Sequence, residues 1–224
     1  MSLKLVLLDL DDTLLDFTVA EDFALKGLFR FIDIEDNLKN RKIYKDINAD
    51  FWSRCEQGLI SKEDAIYGRF EEFFRVIGTS LSPLEANQKY LSLLSQVSIE
   101  IPGALQLIEF LQKSYEVMIV TNGEARTQRS RIAKSSFEKY LSQIIVSDEV
   151  GYLKPHPLIF QHAMSLARFK TKPDQVIMIG DNLHADVSGA KSLGINTIWF
   201  NGKGQISQRI KHRYFDVLAL LSKI

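Results

Sequence analysis

Three short apolar runs along the chain share one layout, in which a continuous hydrophobic stretch stops at a polar residue. Continuous rather than alternating hydrophobic positions indicate strands that are covered on both faces, as in a parallel sheet flanked by helices. Two weaker runs would bring the predicted sheet to five strands. The main runs are Lys4–Asp9, Glu116–Thr121 and Gln175–Asp181, and the weaker ones are Gln143–Val146 and Asn196–Phe200.

Helical patterns alternate with these strands in the second half of the chain. This alternation predicts an α/β fold with a doubly wound, Rossmann-like parallel sheet. Ligands of such sheets bind at the carboxyl ends of the strands, so the polar residues that end the runs are expected to converge. The predicted helices are Ala104–Gln112, Arg126–Ser135, Pro157–Ala167 and Ala185–Leu193.

The segment that follows the first strand has a different pattern, with repeated helix-start signals and no comparable strand run. Helices are expected to begin near residues 19, 62 and 83. A further helix is expected before Gly58. The signals are Thr18 with Glu21, Ser61 with Asp64, and Ser82 with Pro83 and Glu85, and the further helix covers Asp36–Glu56.

These two patterns predict two domains. An α/β core is expected to combine residues 1–16 with residues 101–224. An all-helical domain, inserted after the first strand, is expected at residues 17–100.

The composition of the chain excludes several classes of function but does not identify one. The chain has 224 residues, 28 Lys plus Arg and 28 Asp plus Glu, so it has no overall charge suited to a nucleic acid polymer. No apolar run approaches the ~20 residues that span a membrane, and the N-terminus lacks a signal-peptide pattern. A single cysteine, Cys55, excludes a disulfide framework. A cytoplasmic protein with no membrane partner is therefore expected.

Four cations lie within Arg126–Lys134, on one of the predicted helices. We interpret them as a solvated helix face, because such a run on a helix is most often exposed.

The first predicted strand ends in a crowded acidic motif, Asp9-Leu10-Asp11-Asp12-Thr13. Two unit charges ~4 Å apart repel by about 4 kcal/mol at an effective dielectric constant near 20. A cluster of this kind needs a cation or shifted pKa values to persist. The alternative interpretation is a solvated turn or a helix cap, a common use of acidic residues at strand ends.

A second acidic motif, Gly180-Asp181-Asn182, ends another predicted strand, and Asp186 follows in the next helix. Asp181 can reach the same metal ion as Asp9. Asp186 could orient the Asp181 side chain without contacting the ion itself. Hard oxygen ligands of this kind favour Mg²⁺.

Two further motifs suit an anion. Thr121-Asn122-Gly123 ends the middle strand and leads towards a helix, where a hydroxyl and free backbone N–H groups can bind a phosphate. Lys154 precedes Pro155, which stops the chain from continuing as a helix and could fix where the ammonium points. Alternatively, the first motif is an ordinary turn and the lysine lies on the surface.

Taken together, the four motifs resemble the ordered motifs of the haloacid dehalogenase superfamily, and the helical insertion resembles that superfamily's cap. Within the insertion, two stretches are similar to the pyrimidine 5′-nucleotidase-like branch. The motifs are Asp9-x-Asp11-x-Thr13, Thr121-Asn122-Gly123, Lys154-Pro155 and Gly180-Asp181-x4-Asp186, and the stretches are Phe51-Trp52 and Gln57–Ser61 through Gly68–Glu71.

The resemblance implies a magnesium-dependent phosphatase that works through an aspartyl-phosphate. Asp9 would be the nucleophile and Asp11 the general acid and base. Mg²⁺ would be held by the side chains of Asp9 and Asp181 and by the carbonyl of Asp11. The remaining site residues implied are Thr121, Asn122 and Lys154 for the phosphate, and Thr13, Asn182 and Asp186 as supports for the metal ligands.

The similarity in the insertion implies a small phosphomonoester as substrate, namely a nucleoside 5′-monophosphate, with Arg69 reaching a substrate anion. A sugar-phosphate phosphatase or a phosphomutase would keep the same motifs and stays open. Haloacid dehalogenases typically have an aromatic residue at the position of Asp11, which argues against that activity. A receiver-like phospho-switch also gathers acidic residues, threonine and lysine, but Asp11 and the long insertion argue against it.

Overall fold

The computed structural model describes residues 3–200, in which five parallel strands form one sheet. All five strands lie on the predicted apolar runs, which confirms the doubly wound α/β class. The strands are β1 (Leu5–Leu8), β2 (Glu116–Thr121), β3 (Gln143–Val146), β4 (Val176–Gly180) and β5 (Asn196–Trp199). Their order across the sheet is β3-β2-β1-β4-β5, so β1 lies at its centre.

The central strand, β1, is buried on both faces of the sheet, which requires a continuous apolar run. All four of its side chains are fully buried, in alternation on the two faces of the sheet. Val6 and Leu8 belong to one hydrophobic cluster, and Leu5 and Leu7 belong to another. Because both faces of β1 are covered, a strand with alternating polar positions would place unpaired polar groups in the core.

Nine α-helices occur in the part of the chain that is described, together with a π-helical turn at Leu183–Ser188. The sequence predicted one regular helix over Ala185–Leu193, and the structure instead has this wider turn followed by a short α-helix. The helices are α1 (Phe17–Phe31), α2 (Leu38–Glu56), α3 (Lys62–Ile77), α4 (Pro83–Leu94), α5 (Ala104–Leu111), α6 (Ala125–Ile132), α7 (Ser147–Val150), α8 (Pro157–Ser165) and α9 (Gly189–Lys191).

The chain divides into two compact units. Within the described residues, one combines residues 3–17 with residues 98–200, and the other is Thr18–Val97. The divisions fall at 17/18 and 97/98, where the sequence predicted 16/17 and 100/101. No helix in residues 3–200 is both long and apolar enough to cross a membrane.

The helical unit is held together by an aromatic interior. Phe29 stacks on Phe73 with ring centroids 5.6 Å apart, and the ring of Tyr44 lies nearly perpendicular to that of Phe73 at the same centroid distance. Two of the three helix-start signals form as predicted: Ser61 and Asp64 make a reciprocal capping box, and the Ser82 side chain caps α4.

The third signal, Thr18 with Glu21, is a wrong prediction. Helix α1 begins at Phe17, so Thr18 lies inside its first turn. The backbone N–H of Phe17 donates to Oδ1 of Asp12 at 3.1 Å, so an upstream aspartate satisfies the start of the helix.

A short backbone stem within the core unit flanks the insertion. The N–H of Asp16 donates to the carbonyl of Ile99 at 2.8 Å, and the N–H of Ile101 donates to the carbonyl of Leu14 at 2.9 Å. The two segments therefore pair in antiparallel fashion on either side of a bridge between Leu15 and Glu100.

Candidate active site

The polar residues that end β1 and β4 meet at one edge of the sheet. Asp9 directly follows β1 and Asp181 directly follows β4, and these strands pair along their whole length. Asp186 joins them from the π-helical turn. Each of the three aspartates offers a carboxylate oxygen, and these oxygens lie within 4.8 Å of one another.

Lys154 forms hydrogen bonds with two members of this acidic cluster. Its Nζ donates to Oδ1 of Asp9 at 2.5 Å and to Oδ1 of Asp186 at 2.7 Å, and the residue is buried. Asn122 fixes the lysine backbone from both sides: its side-chain oxygen accepts from the N–H of Lys154 at 2.7 Å, and its amide donates to the carbonyl of Lys154 at 2.9 Å. The motif at the end of β2 therefore holds the backbone from which the Lys154 side chain extends.

Burial and mutual repulsion shift the titration of the cluster. Burial raises the pKa of Asp9 to about 7, and the carboxylates of Asp186 and Asp11 add to the rise while Lys154 opposes it. Burial likewise raises the pKa of Asp181 to about 9, helped by Asp9 and Asp186. Burial disfavours the charged form of Lys154, but the Asp186 and Asp9 carboxylates outweigh it and raise its pKa.

These donors fit Mg²⁺. The group consists only of carboxylates, which are the hard oxygen ligands that Mg²⁺ prefers. One ammonium faces three carboxylates, so a divalent cation would neutralise the remaining charge and reverse the upward pKa shifts of Asp9 and Asp181.

The backbone of Asp181 is held on both sides. Its N–H donates to Oγ1 of Thr13 at 3.1 Å, and its carbonyl accepts from Nε1 of Trp199 at 2.7 Å. Thr13 and Trp199 therefore orient the loop that carries this carboxylate.

Asp186 is fixed by the turn that contains it. The N–H of Asn182 donates to Oδ2 of Asp186 at 3.0 Å, and the Asn182 side chain caps the π-helical turn. A Cβ on Gly180 would lie 2.1 Å from Oδ2 of Asp186, so this position needs glycine. Asp186 was predicted only to support the ligands, whereas the structure places its carboxylate in the cluster itself.

The side chain of Asp11 turns towards α6. Its Oδ1 accepts from Nη1 of Arg131 at 2.5 Å, and its Oδ2 accepts from Nε2 of Gln128 at 2.6 Å. The same Gln128 nitrogen donates to Oγ1 of Thr121 at 2.9 Å. The prediction that Arg131 belongs to a solvated helix face is wrong, because the residue is fully buried and paired with Asp11.

Arg69 was predicted to reach a substrate anion, and the structure corrects this. The residue is 4% exposed, and its guanidinium donates to the side-chain oxygens of Asn48 at 2.8 Å and Asn87 at 3.0 Å. It also lies over the rings of Phe70 and Tyr90. All these partners belong to the helical unit, so the described contacts make Arg69 part of that unit's interior.

Sequence reasoning missed three residues that hold the site: Gln128, Arg131 and Trp199. The first two stand one helical turn apart on α6, which begins just after the Thr121 motif, and that spacing was a usable signal. Trp199 lies at the end of the last described strand, where nothing local in the sequence marks it.

Comparisons with known proteins show the family to which the chain belongs. A model of the haloacid dehalogenase-like hydrolase family matches residues 3–194. The HAD-hydrolase YfnB of Bacillus subtilis is 32% identical over 199 residues, covering 88% of this chain and 84% of YfnB. The crystal structure of YfnB bound to magnesium matches with a TM-score of 0.91 and 29% identity, covering 99% of both chains.

Two other relatives carry a substrate in their names. The pyrimidine 5′-nucleotidase PynA of Streptococcus pneumoniae is 33% identical over 203 residues, which cover 90% of this chain and 85% of PynA. The pyrimidine 5′-nucleotidase YjjG of Escherichia coli is 26% identical over 198 residues, which cover 88% of this chain and 85% of YjjG.

Proposed function

Since the chain belongs to the haloacid dehalogenase-like hydrolase family, we propose that it is a magnesium-dependent phosphatase that forms an aspartyl-phosphate on Asp9. The chain is a phosphoric monoester hydrolase, as its family and its nucleotidase relatives indicate. The observation that carries the proposal is the cluster of Asp9, Asp181 and Asp186, closed by the ammonium of Lys154.

In the first step, an oxygen of Asp9 attacks phosphorus while the bond from phosphorus to the ester oxygen breaks. Asp11 supplies the proton that the departing alkoxide needs, and becomes a carboxylate. Its position two residues after Asp9 supports this role, because both residues lie at the end of β1.

In the second step, a water molecule attacks the phosphorus of the aspartyl-phosphate. The carboxylate of Asp11 takes a proton from this water, the bond from phosphorus to Asp9 breaks, and inorganic phosphate leaves. Both aspartates thereby return to their starting protonation states, so the cycle balances.

Thr121, Asn122 and Lys154 are proposed to bind the phosphoryl oxygens. Thr121 ends β2, next to the strand that carries Asp9, and the Lys154 ammonium already contacts Asp9. Asp9, Asp181 and Asp186, together with the carbonyl of Asp11, would hold Mg²⁺, which would supply positive charge against the phosphate.

The proposed substrate is a nucleoside 5′-monophosphate. The names of PynA and YjjG support this choice, as does the similarity of the insertion to the nucleotidase-like branch. A sugar-phosphate phosphatase or a phosphomutase is the alternative, because both would use the same core residues.

A substrate panel tests the proposal. Pyrimidine and purine 5′-monophosphates, hexose phosphates and an aryl phosphate are incubated with and without Mg²⁺, and released phosphate is measured. We expect the highest kcat/KM on a pyrimidine nucleotide and no turnover in excess chelator. Undiminished turnover in chelator contradicts the metal requirement, and a clear preference for a hexose phosphate contradicts the nucleotidase assignment alone.

Two variants separate the roles of the first-strand aspartates. Asp9→Asn should give no covalent phosphoenzyme, whereas Asp11→Asn should accept phosphate from an aryl ester and release it slowly. Acid quenching followed by peptide mass mapping locates the label. Asp46→Asn is the matched control, because Asp46 is exposed and pairs only with Lys42 among the described ion pairs. Label on a residue other than Asp9 refutes the assignment.

A further inference from the structure

The carboxylate of Asp11 is held by two side chains of α6, one to each oxygen. Arg131 donates to Oδ1 at 2.5 Å and Gln128 donates to Oδ2 at 2.6 Å. Arg131 also donates to Oε1 of Gln128 at 3.0 Å. These three side chains form a closed hydrogen-bonded triangle in which the carboxylate has one preferred orientation.

Both α6 side chains are buried, which makes the arrangement rigid. Arg131 is 0% exposed and Gln128 is 1% exposed. The helix itself is fixed at its start, because the Glu124 side chain accepts from the N–H groups of Arg126 and Thr127. A Cβ on Gly123 would lie 2.4 Å from the Gln128 side chain, so a glycine there leaves room for the Gln128 amide.

Gln128 also connects Asp11 to the end of β2. Its Nε2 carries two hydrogens, one directed at Asp11 and the other at Oγ1 of Thr121. The Thr121 oxygen accepts a second hydrogen bond from the N–H of Gly123 at 3.3 Å. With both lone pairs engaged, the Thr121 hydroxyl is oriented to donate its own hydrogen.

We propose that Gln128 and Arg131 are positioning residues for the proton transfers of Asp11, which they hold through one hydrogen bond to each carboxylate oxygen. This inference rests on the proposed function, in which Asp11 is the general acid and base. The two side chains fix the direction in which the carboxyl group of Asp11 points. Neither α6 residue exchanges a proton with the substrate.

The choice of leaving group distinguishes positioning from a structural role. An alkoxide leaving group needs a proton from Asp11, whereas a nitrophenolate leaves readily without one. A well-placed general acid is worth about 10²–10⁴-fold in rate. Misplacing it should therefore slow phosphoenzyme formation from an alkyl phosphate, with little effect on formation from 4-nitrophenyl phosphate.

The experiment compares Gln128→Met, Arg131→Met and Arg131→Lys with the wild-type chain in single-turnover kinetics, with 4-nitrophenyl phosphate and a simple alkyl phosphate. Arg129→Met is the matched control, because Arg129 lies on the same helix and pairs with the exposed Glu149. Thermal unfolding of each variant confirms that it is folded. Gln128→Met, a change of similar volume without charge, carries the test if Arg131→Met does not fold.

We expect Gln128→Met to slow phosphoenzyme formation from the alkyl phosphate by about tenfold or more, and formation from the aryl phosphate by less than about threefold. Arg131→Lys should recover part of the rate lost in Arg131→Met. Equal losses on both substrates, or no loss, overturn the positioning role while the phosphatase proposal stands. A wild-type chain that hydrolyses neither these esters nor a nucleoside 5′-monophosphate overturns both.

Discussion

Nζ of Lys154 donates a 2.5 Å hydrogen bond to Oδ1 of Asp9, a residue 145 positions earlier in the chain. The same ammonium bonds Asp186 at 2.7 Å, and all three residues are buried. Breaking a buried ion pair by removing one partner leaves an uncompensated charge in a poorly solvated place. Lys154 is therefore expected to support folding as well as phosphate binding.

Replacing Lys154 tests this dual role. Lys154→Met should lower the free energy of unfolding of the metal-free protein by about 3–5 kcal/mol near neutral pH, measured by urea denaturation in chelator. Lys42→Met is the control, because Lys42 forms an exposed ion pair with Asp46 and should change stability by less than about 1 kcal/mol. A comparably small effect of Lys154→Met would contradict the prediction.

The raised pKa values predict a pH-dependent response to Mg²⁺. The pKa of Asp9 is about 7 and that of Asp181 about 9, both above the ordinary value of 3.8. A carboxyl group with a raised folded-state pKa contributes its full stability below pH 3.8 and loses it as the pH rises through the folded-state pKa. These two groups should therefore destabilise the metal-free protein progressively towards pH 9.

Mg²⁺ binds the ionised carboxylates, so the stabilisation that it provides should increase as the pH rises. The rise in Tm on adding Mg²⁺ is expected to be larger at about pH 8.5 than at about pH 6. Differential scanning fluorimetry at both values measures it, and Asp181→Asn should reduce the difference. A rise in Tm that does not depend on pH would show that these two groups do not control metal binding.

Trp199 is expected to matter for the metal site although it carries no ligand. Trp199→Phe removes the indole donor to the Asp181 carbonyl while keeping an aromatic side chain. Loss of such an outer partner typically weakens metal affinity by about 10–100-fold. Calorimetric titration with Mg²⁺ measures the change. Trp52→Phe, in the helical unit, is the control and should leave the affinity unchanged.

Arg69 should behave as a structural residue. Arg69→Ala leaves the side-chain oxygens of Asn48 and Asn87 without their guanidinium donor and opens a space beside Tyr90, so we expect a loss of about 3 kcal/mol in unfolding free energy. Arg75→Ala, which removes an exposed pair with Glu72, should cost much less. A folded Arg69→Ala variant with an unchanged Tm and a raised KM for nucleotides alone would restore the substrate-binding interpretation.

The sheet was predictable because burial on both faces leaves a direct trace in sequence. β2 and β3 have the same limits as their predicted apolar runs. Two helix starts in the insertion were predictable because a serine with a partner three residues later satisfies backbone N–H groups locally. The start of α1 was not, because its first N–H is satisfied by Asp12, which precedes the helix by several residues.

The contacts of Asp11 could not be predicted from the sequence alone. Arg131 and the exposed Arg129 belong to the same run of cations, and only the packing of α6 against the end of β1 determines which of them is buried. Arg69 was misjudged for the complementary reason. A guanidinium surrounded by asparagine oxygens and aromatic rings can be buried, and those partners are distant in sequence.

The antiparallel stem closes the core unit at the point where the helical segment is inserted. Leu14 and Asp16 on the outgoing segment pair with Ile101 and Ile99 on the returning one, so the core unit itself joins the two ends of the inserted segment. The entropy of closing such a loop grows only slowly with its length, so the core can accommodate inserts of very different sizes at this point. A helical segment of different length or sequence would therefore begin and end at the same four backbone groups, and the core residues at the carboxyl ends of the strands would keep their positions.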